Sequence, residues 1–347
     1  MGRSICDAGC VWAVFVGSVI GAGFASGEEV LAFFAVYGTE SLAATAAAGA
    51  LFALLGARLI LLAHRAGGAG QEAVLRLLFG RFARWASALL ALLWLAVLAV
   101  MLSGAGALFQ MVSLPSAAGS LLLAALLYVL SLCGTRAVLG ANVIVTPLVL
   151  GAMCAATVWS LVYHQADSAM LFASTSAPSL SLPALTSSLF YVSYNLAMCV
   201  PALISLPVMH KGAVCAGASL AGLTLSLMLA SLLVVVLLHY EAAVRSPIPM
   251  LMVASMQHDA CFWGYAAVLS LAMVTSALGA LVGVSRFCAV RLPRTRVRNL
   301  LILSAAVLVS QAGLGVLVET VLPVMGYVSL VFMIRLCLPV RDGILPR

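Results

Sequence analysis

Gly17 to Glu29, near the N-terminus, combines backbone freedom with polar groups inside an otherwise apolar stretch. It contains four glycines, two serines and two adjacent carboxylates, in the order GSVIGAGFASGEE. A glycine inside a helix costs about 1 kcal/mol relative to alanine, and a carboxylate at the centre of a bilayer costs roughly 2.5–3.5 kcal/mol. Non-helical backbone at membrane depth occurs only where it is buried in protein or lines a cavity. The stretch therefore predicts a membrane span that is interrupted to form a binding site.

The same residues also fit a purely structural interpretation. Ser26-Gly27-Glu28-Glu29 matches a capping box, with Ser26 as the N-cap residue and Glu29 at the third helical position. Carboxylates are stabilised at the positive end of a helix. Glu29 is therefore either a helix cap or a functional carboxylate, and both alternatives stay open from the sequence.

This stretch resembles the first span of the YkvI-like family of bacterial membrane proteins, which reads roughly GAGFASG followed by Gln-Glu. Here Glu28 stands in place of the Gln. More remotely, it is similar to the broken first helix of LeuT-type transporters in the amino acid–polyamine–cation superfamily. The resemblance implies an all-α fold of two inverted five-helix repeats in which helices 1 and 6 are broken. For the wider superfamily it implies an amino acid or small organic amine as substrate.

The composition is that of a polytopic membrane protein. Of the 347 residues, 65% are hydrophobic and only 8% are charged, whereas soluble domains carry about 25% charged residues. The nine cysteines are scattered and include no C-x-x-C pair, so we expect apolar filler rather than metal ligands.

The sequence has none of the common catalytic or nucleotide-binding motifs. It lacks H-E-x-x-H, G-x-S-x-G and G-x-x-x-x-G-K-[ST]. We therefore expect a protein that is not an enzyme and needs no cofactor, unless Na⁺ takes part.

Hydropathy and helix-breaking residues predict ten spans in one transmembrane domain covering residues 1–347. Residues 9–163 would form the first five-helix repeat and 184–339 the second. Because five is odd, the second repeat enters the membrane upside down relative to the first. The predicted spans are 10–37, 42–63, 86–111, 117–134, 142–163, 184–207, 213–238, 260–286, 299–318 and 321–339.

The basic residues test this topology. If the N-terminus is cytoplasmic, ten spans place 16 of the 17 lysines and arginines on the inner side, and only Arg245 outside. That is the distribution of the positive-inside rule. We therefore expect a bacterial cytoplasmic (inner) membrane protein with both termini in the cytoplasm. The net charge of +7 then indicates anionic lipid head groups as partner, not nucleic acid.

Two segments outside the spans are apolar enough to need a surface to rest on. Residues 71–85 mix arginines with Leu, Phe and Trp at helical spacing, which is typical of an amphipathic helix at the inner interface. The outer segment Glu241–Asp259 contains the apolar run Leu251–Ala254. It either dips inward as a lid, as the resemblance implies, or lies on the membrane surface.

The sixth span is the second candidate break. Ser, Thr and Asn crowd its first half, and Pro201 removes a helical donor. Its sequence Tyr191-Val192-Ser193-Tyr194-Asn195 resembles the sixth span of the YkvI-like family. We predict a non-helical stretch near Tyr194–Val200 that faces the first-span break near Ile20–Ser26, with a merely kinked helix as the alternative.

The two breaks together predict a solute site. Backbone N–H groups at a restarting helix bind anions, but two carboxylates nearby would repel one. An amine-bearing solute, or a protonated Glu28, resolves this conflict. The predicted substrate-binding residues are Gly21, Gly23, Phe24, Ala25, Ser26, Gly27, Glu28, Tyr191, Tyr194 and Asn195.

Two mechanisms of ion coupling remain open. In sodium-coupled LeuT-type transporters a span-eight hydroxyl pair joins two carbonyls at the first break. The resemblance therefore implies a Na⁺ site made of Gly17, Ile20, Ala272, Thr275 and Ser276, five neutral oxygens in all. Alternatively, Glu28 or Glu29 carries a proton, since burial disfavours the charged form of a carboxyl group.

The function predicted from these observations is secondary active transport of a small solute, coupled to Na⁺ or H⁺ by alternating access. A non-transporting membrane sensor or scaffold with the same fold is one alternative. A lipid-handling membrane protein is another.

Overall fold

In a computed structural model, residues 2–67, 70–132, 136–163, 181–289 and 291–339 are described, and their regular structure is entirely helical. Short 3₁₀ segments at Ala35–Glu40 and Gly80–Phe82 precede the fourth and sixth helices. The α-helices are α1 (Gly2–Val19), α2 (Ala22–Ser26), α3 (Glu28–Phe33), α4 (Ser41–Arg65), α5 (Gln71–Phe79), α6 (Ala83–Met111), α7 (Ser116–Leu132), α8 (Arg136–Tyr163), α9 (Leu182–Leu203), α10 (Lys211–Leu238), α11 (Tyr240–Arg245), α12 (Pro249–Gln257), α13 (Asp259–Cys288), α14 (Thr295–Ser310) and α15 (Leu314–Cys337).

Each predicted span overlaps a helix or, for the first span, three consecutive helices. The predicted outer loop 164–183 lies almost wholly outside the described residues. By length and composition, six helical stretches in the described part of the chain can cross a membrane; two shorter apolar helices are Ser4–Val19 and Ser116–Leu132. The six are Ala35–Arg65, Gln71–Met111, Val145–Tyr163, Lys211–Leu238, Asp259–Cys288 and Leu314–Cys337.

The interruption predicted in the first span is confirmed. α1 ends at Val19, Gly21 is extended (φ −108°, ψ −170°), and the chain makes the short helix α2 before it turns again at Gly27. Gly27 has φ 82°, a left-handed conformation that suits glycine, and it is the N-cap of α3. Two breaks thus flank one helical turn.

The break predicted in the sixth span is wrong, because α9 is continuous through Tyr194–Val200. The Asn195 and Ser193 side chains are satisfied without unwinding: Asn195 Nδ2 donates to Tyr191 O (3.1 Å), and Ser193 Oγ donates to Phe190 O (2.8 Å) and Gly326 O (2.9 Å). Pro201 lies in the last turn of the helix, so it removes a single hydrogen bond close to the helix end.

The boundary between the last two predicted spans is also misplaced. α14 ends at Ser310, and Gly313 (φ 90°) precedes α15. The sequence prediction put this turn after residue 318. A single glycine in the left-handed region ends the helix without any polar run to mark it.

Four helices, α1, α4, α9 and α10, pack together and form two similar pairs, α1 with α10 and α9 with α4. α4 packs on α10, α1 packs on α10, and α9 packs on α4, while α1 also contacts α9. A Cβ added to Gly49 would lie 2.6 Å from Gly222 O, and one added to Gly222 would lie 2.3 Å from Gly49 O. The backbones of α4 and α10 therefore meet directly at these two glycines.

The two apolar segments outside the predicted spans pack against the protein. α5 is amphipathic, as predicted, and buries Val74, Leu75 and Leu78 while Arg76 stays exposed. α12 buries Met250, Leu251 and Val253–Ala254 and packs on α13 and α2. The outer segment thus folds inward onto the first-span break, as a lid would, which excludes the membrane-surface alternative for these residues.

Candidate functional site

The first break releases backbone groups that a continuous helix would pair. Gly21 N donates to Val19 O (2.9 Å), so it does not reach Gly17 O, its partner in a regular helix. Ala22 N donates instead to Ser276 Oγ on α13 (3.4 Å). The carbonyls of Gly17 and Ser18 consequently lose their usual donors at the point where α13 approaches.

Glu29 is the carboxylate that turns toward the centre. Its Oε1 lies 2.1 Å from the position that a Cβ on Gly23 would occupy, so only glycine leaves room for it. The side chains of Tyr194, Asn195 and Tyr191 on α9 face its carboxyl group. Glycine at 23 and three polar residues of α9 therefore form one pocket around a single acid.

This pocket contains polar atoms without partners. Glu29 Oε2, the Tyr191 hydroxyl and the Tyr194 hydroxyl are buried and lack a hydrogen bond of ordinary length within the described residues. Glu29 is 8% exposed, Tyr194 2% and Tyr191 0%. Buried polar groups in native proteins nearly always have a partner, whether protein, ordered water or ligand. An unpartnered carboxylate oxygen beside two unpartnered hydroxyls is therefore the arrangement expected of a site for a hydrogen-bond donor or a cation.

Glu28 differs from its neighbour. It is equally buried and lies near enough to Glu29 for their charges to interact. The Tyr191, Tyr194 and Asn195 side chains, however, face Glu29. The capping box is not formed: Gly27 is the N-cap of α3, Ser26 Oγ accepts from Glu28 N (3.3 Å) and not from Glu29 N, and the Glu29 carboxyl points to Gly23. The interpretation of Glu29 as a cap is therefore wrong.

Aromatic rings form the wall of the pocket beyond Glu29. Phe33 stacks on Tyr194, with ring centroids 5.7 Å apart, and Phe34 meets Tyr191 edge to face at 5.2 Å. Ser187 Oγ donates to Phe33 O (2.7 Å), which ties α3 to α9. The pocket is thus acidic at one end and aromatic at the other.

The remaining predicted solute residues lie around the short helix α2. Phe24, Ala25 and Ser26 are buried there, between Gly21 and Gly27. Met250 of α12 covers Gly27, its Cγ lying 2.8 Å from the position of a Cβ on that glycine.

Tyr265 contacts the first-span break and is absent from the residues predicted from the sequence. Its hydroxyl on α13 donates to Ala25 O at 2.6 Å and is buried. The signal was available, because residues 265, 272 and 276 are spaced by seven and four and so share one helix face. That face touches α2 at two points, Tyr265 and Ser276.

The predicted ion site is assembled in part. Ser276 reaches the break, its Oγ lying 2.7 Å from the position of a Cβ on Gly21. Thr275 is buried but donates to Ala272 O of its own helix (3.1 Å). Gly17 instead faces Thr146 of α8, whose Oγ1 lies 2.9 Å from the position of a Cβ there. Within the described residues no hydrogen bond joins Thr275 to α1.

A curated relative decides the family. The chain is 30% identical over 334 residues to the uncharacterized membrane protein YkvI of Bacillus subtilis (strain 168), covering 92% of each chain. The chain belongs to the YkvI family. No family model matches it. As a family member with several apolar helices, it is a multi-pass membrane protein.

Solved structures show which fold the YkvI family has. The inward-facing conformation of Mhp1 matches with a TM-score of 0.58 at 13% identity, covering 96% of this chain and 75% of Mhp1. The Eremococcus coleocola manganese transporter matches with a TM-score of 0.51 at 15% identity, covering 96% and 76%. Both have the LeuT fold, so this member of the family shares that fold. Within the described part of the chain, no three His, Cys, Asp or Glu side chains are grouped as a metal site.

Proposed function

We propose that the protein is a secondary active transporter of a small amine-bearing solute, such as an amino acid or organic amine. The observation that carries this proposal is the buried Glu29 carboxylate, which faces Tyr191, Tyr194 and Asn195 beside the first-helix break. The transporter fold of the solved neighbours supports it.

The chemistry of the pocket favours an ammonium group. A buried carboxylate is costly unless a counter-charge or hydrogen bonds compensate it. A protonated amine donates three hydrogen bonds, and three oxygens here lack partners. The Phe33 ring stacked on Tyr194 offers apolar contact to the rest of a solute.

The closure of the site supports alternating access. Phe24, Tyr191 and Tyr194 are almost completely buried, so a solute has to be admitted by a conformational change. α12 covers the break on one side through Met250, and Tyr265 holds α2 through Ala25. We propose that release of these two contacts opens the site.

The inverted repeat, with residues 9–163 and 184–339 as its halves, is part of the proposal. An axis relating the repeats would exchange α1 with α9 and α4 with α10. The pairing of α1 with α10 and of α9 with α4 supports it, as do the reciprocal close approaches of Gly49 and Gly222. Ten spans with both termini on the cytoplasmic side of a bacterial inner membrane complete the arrangement.

For the coupling ion we favour Na⁺ over H⁺. The released Gly17 carbonyl, the Ala272 carbonyl and the Thr275 and Ser276 hydroxyls, with Ile20 at the break, supply neutral oxygens suited to a monovalent cation. Thr146 brings a further hydroxyl close to Gly17. The measurement is ligand stabilisation as sodium is replaced by choline at fixed pH, in wild type and in Thr275→Ala/Ser276→Ala. Indifference to sodium, with pH dependence lost in Glu29→Gln or Glu28→Gln, transfers coupling to a proton.

The solute proposal is tested by a thermal-shift screen of amino acids and amines, followed by uptake into proteoliposomes. Glu29→Gln removes one partner of a buried ion pair, a loss of about 3–5 kcal/mol, so we expect affinity for the amine to fall about 100-fold or more. Glu28→Gln is the matched control and should lose much less.

Three outcomes contradict parts of the proposal. Amine binding that survives in Glu29→Gln removes Glu29 from the site. A larger loss in Glu28→Gln exchanges the roles of the two acids. Tight binding with no uptake, at any ion gradient, indicates a sensor in place of a transporter.

A further inference from the structure

A cavity that shares no lining residue with the Glu29 site lies where α5 meets α15. It has a volume of about 600 Å³, and Phe79–Phe82 form one wall while Val331, Ile334 and Arg335 form the other. Phe79 also stacks on Phe332 of α15, with ring centroids 6.2 Å apart, which joins the two walls at the base. The cavity thus combines apolar walls with two arginines, Arg81 and Arg335.

The two guanidinium groups are held in position, and the described part of the chain supplies no carboxylate to neutralise them. Arg335 donates from Nε to Leu78 O, which fixes its orientation and leaves its two terminal nitrogens available. Arg81 lies over the Phe82 ring, 4.9 Å from its centroid. Within the described residues the one ion pair is Arg76–Glu72, so neither arginine has a carboxylate partner there. Two unpaired arginines in one cavity have the chemistry of a phosphate-binding site.

The rim of the cavity is open and apolar. Among the lining residues, Phe82, Val331 and Ile334 are each more than half exposed, and so is Trp85, three residues beyond Phe82. Aromatic side chains of this kind are typical of the membrane–water interface, and aliphatic ones suit acyl chains. A phosphate beside arginines, with hydrocarbon next to it, is the arrangement of an anionic phospholipid.

We propose that this cavity binds one anionic phospholipid, its phosphate between Arg81 and Arg335 and its acyl chains along Val331, Ile334 and Phe82. Gly80, at φ 55°, makes the turn after α5 from which the short 3₁₀ segment presents Arg81 and Phe82 to the cavity. The lipid would join the amphipathic segment to α15, independently of the solute site.

The experiment uses the purified full chain in nanodiscs of phosphatidylcholine, into which phosphatidylglycerol with the same acyl chains is titrated. Melting temperature and lipid retention in native mass spectrometry are the readouts. Because a basic residue near a membrane surface contributes about 1 kcal/mol to anionic lipid binding, we expect Arg81→Gln and Arg335→Gln each to weaken the selective effect about fivefold. The double variant should lose it.

Arg76→Gln is the matched control, since it removes an exposed charge from the same amphipathic helix. It should retain phosphatidylglycerol selectivity. If Arg335→Gln does not fold, Arg81→Gln decides the matter, because the Arg81 side chain is exposed. Unchanged selectivity in Arg81→Gln, or an equal loss in Arg76→Gln, overturns the proposal. Equal protection by millimolar inorganic phosphate alone identifies a free-anion site and overturns the lipid assignment.

Discussion

At the scale of single residues, the backbone at Gly27 determines which of two adjacent acids enters the pocket. Successive helical residues are rotated by about 100°, so a helix starting one residue earlier would present Glu28 where Glu29 now lies. The sequence predicts that a carboxylate is present but not which one faces α9. That choice depends on the left-handed turn at Gly27, which no local pattern encodes.

The contact between Gly21 and Ser276 is testable by a double-mutant cycle. In Gly21→Ala the new Cβ meets Ser276 Oγ at 2.7 Å, and overpacking of this kind costs about 1–3 kcal/mol. Ser276→Ala removes that oxygen and leaves the Cβ at 3.6 Å, an ordinary contact. We expect Gly21→Ala to lower the melting temperature and Gly21→Ala/Ser276→Ala to melt no lower than Ser276→Ala alone. Strictly additive losses would contradict the close approach of α13 to the break.

Tyr265→Phe tests the bond that holds α2. The Tyr265 hydroxyl is a donor to Ala25 O in a buried position, so its removal leaves a carbonyl unsatisfied at a cost of about 1–3 kcal/mol. We expect reduced thermal stability and faster protease cleavage near Gly21–Gly27. The matched control is Tyr327→Phe on α15, since Tyr327 is exposed; equal losses in both variants would mean that Tyr265 does not secure the break.

At the scale of elements, hydropathy predicts where the apolar helices are, and breakers predict their ends less well. The first-span break is predictable because four glycines accumulate in it. A break is predicted in α9 because Ser, Thr and Asn crowd its first half and Pro201 follows them. In the structure they bond back to their own helix or across to Gly326 and Phe33, and these partners are distant in sequence.

The glycine contact between α4 and α10 gives a prediction at this scale. In Gly49→Ala or Gly222→Ala the new Cβ would meet a backbone carbonyl at 2.6 or 2.3 Å, and a carbonyl cannot rotate away as a side chain can. We expect each variant to destabilise the protein by about 1–3 kcal/mol, measured by thermal or denaturant unfolding. Gly279→Ala, inside α13 with nothing within 4 Å, is the control and should be neutral or stabilising. If Gly49→Ala is as stable as wild type, the backbones of α4 and α10 do not approach each other as closely as the structure indicates.

At the scale of the whole molecule, charge placement and helix packing are two independent observations that favour the proposed ten-span inverted repeat. The charge argument uses only the positions of lysine and arginine in the loops. The packing argument uses the contacts of α1 with α10 and of α9 with α4. What the sequence could not supply is the closed state of the site, because burial of Glu29 and Tyr194 results from how separate helices pack.

The topology can be measured by labelling single cysteines in a cysteine-free background with a membrane-impermeant maleimide. Ser113 and Gln311 precede α7 and α15, and ten spans place both outside, whereas Ser205 and Thr295 lie inside; all four are exposed. We expect Ser113→Cys and Gln311→Cys to react in intact cells, and Ser205→Cys and Thr295→Cys to react only after lysis. This orientation is expected because it places 16 of the 17 lysines and arginines on the cytoplasmic side. Reaction of Ser113 and Ser205 on one side would remove a span between them and with it the inverted repeat. Reversal of all four would keep the repeat and invert the orientation, which places the α12 side of the solute site toward the cytoplasm.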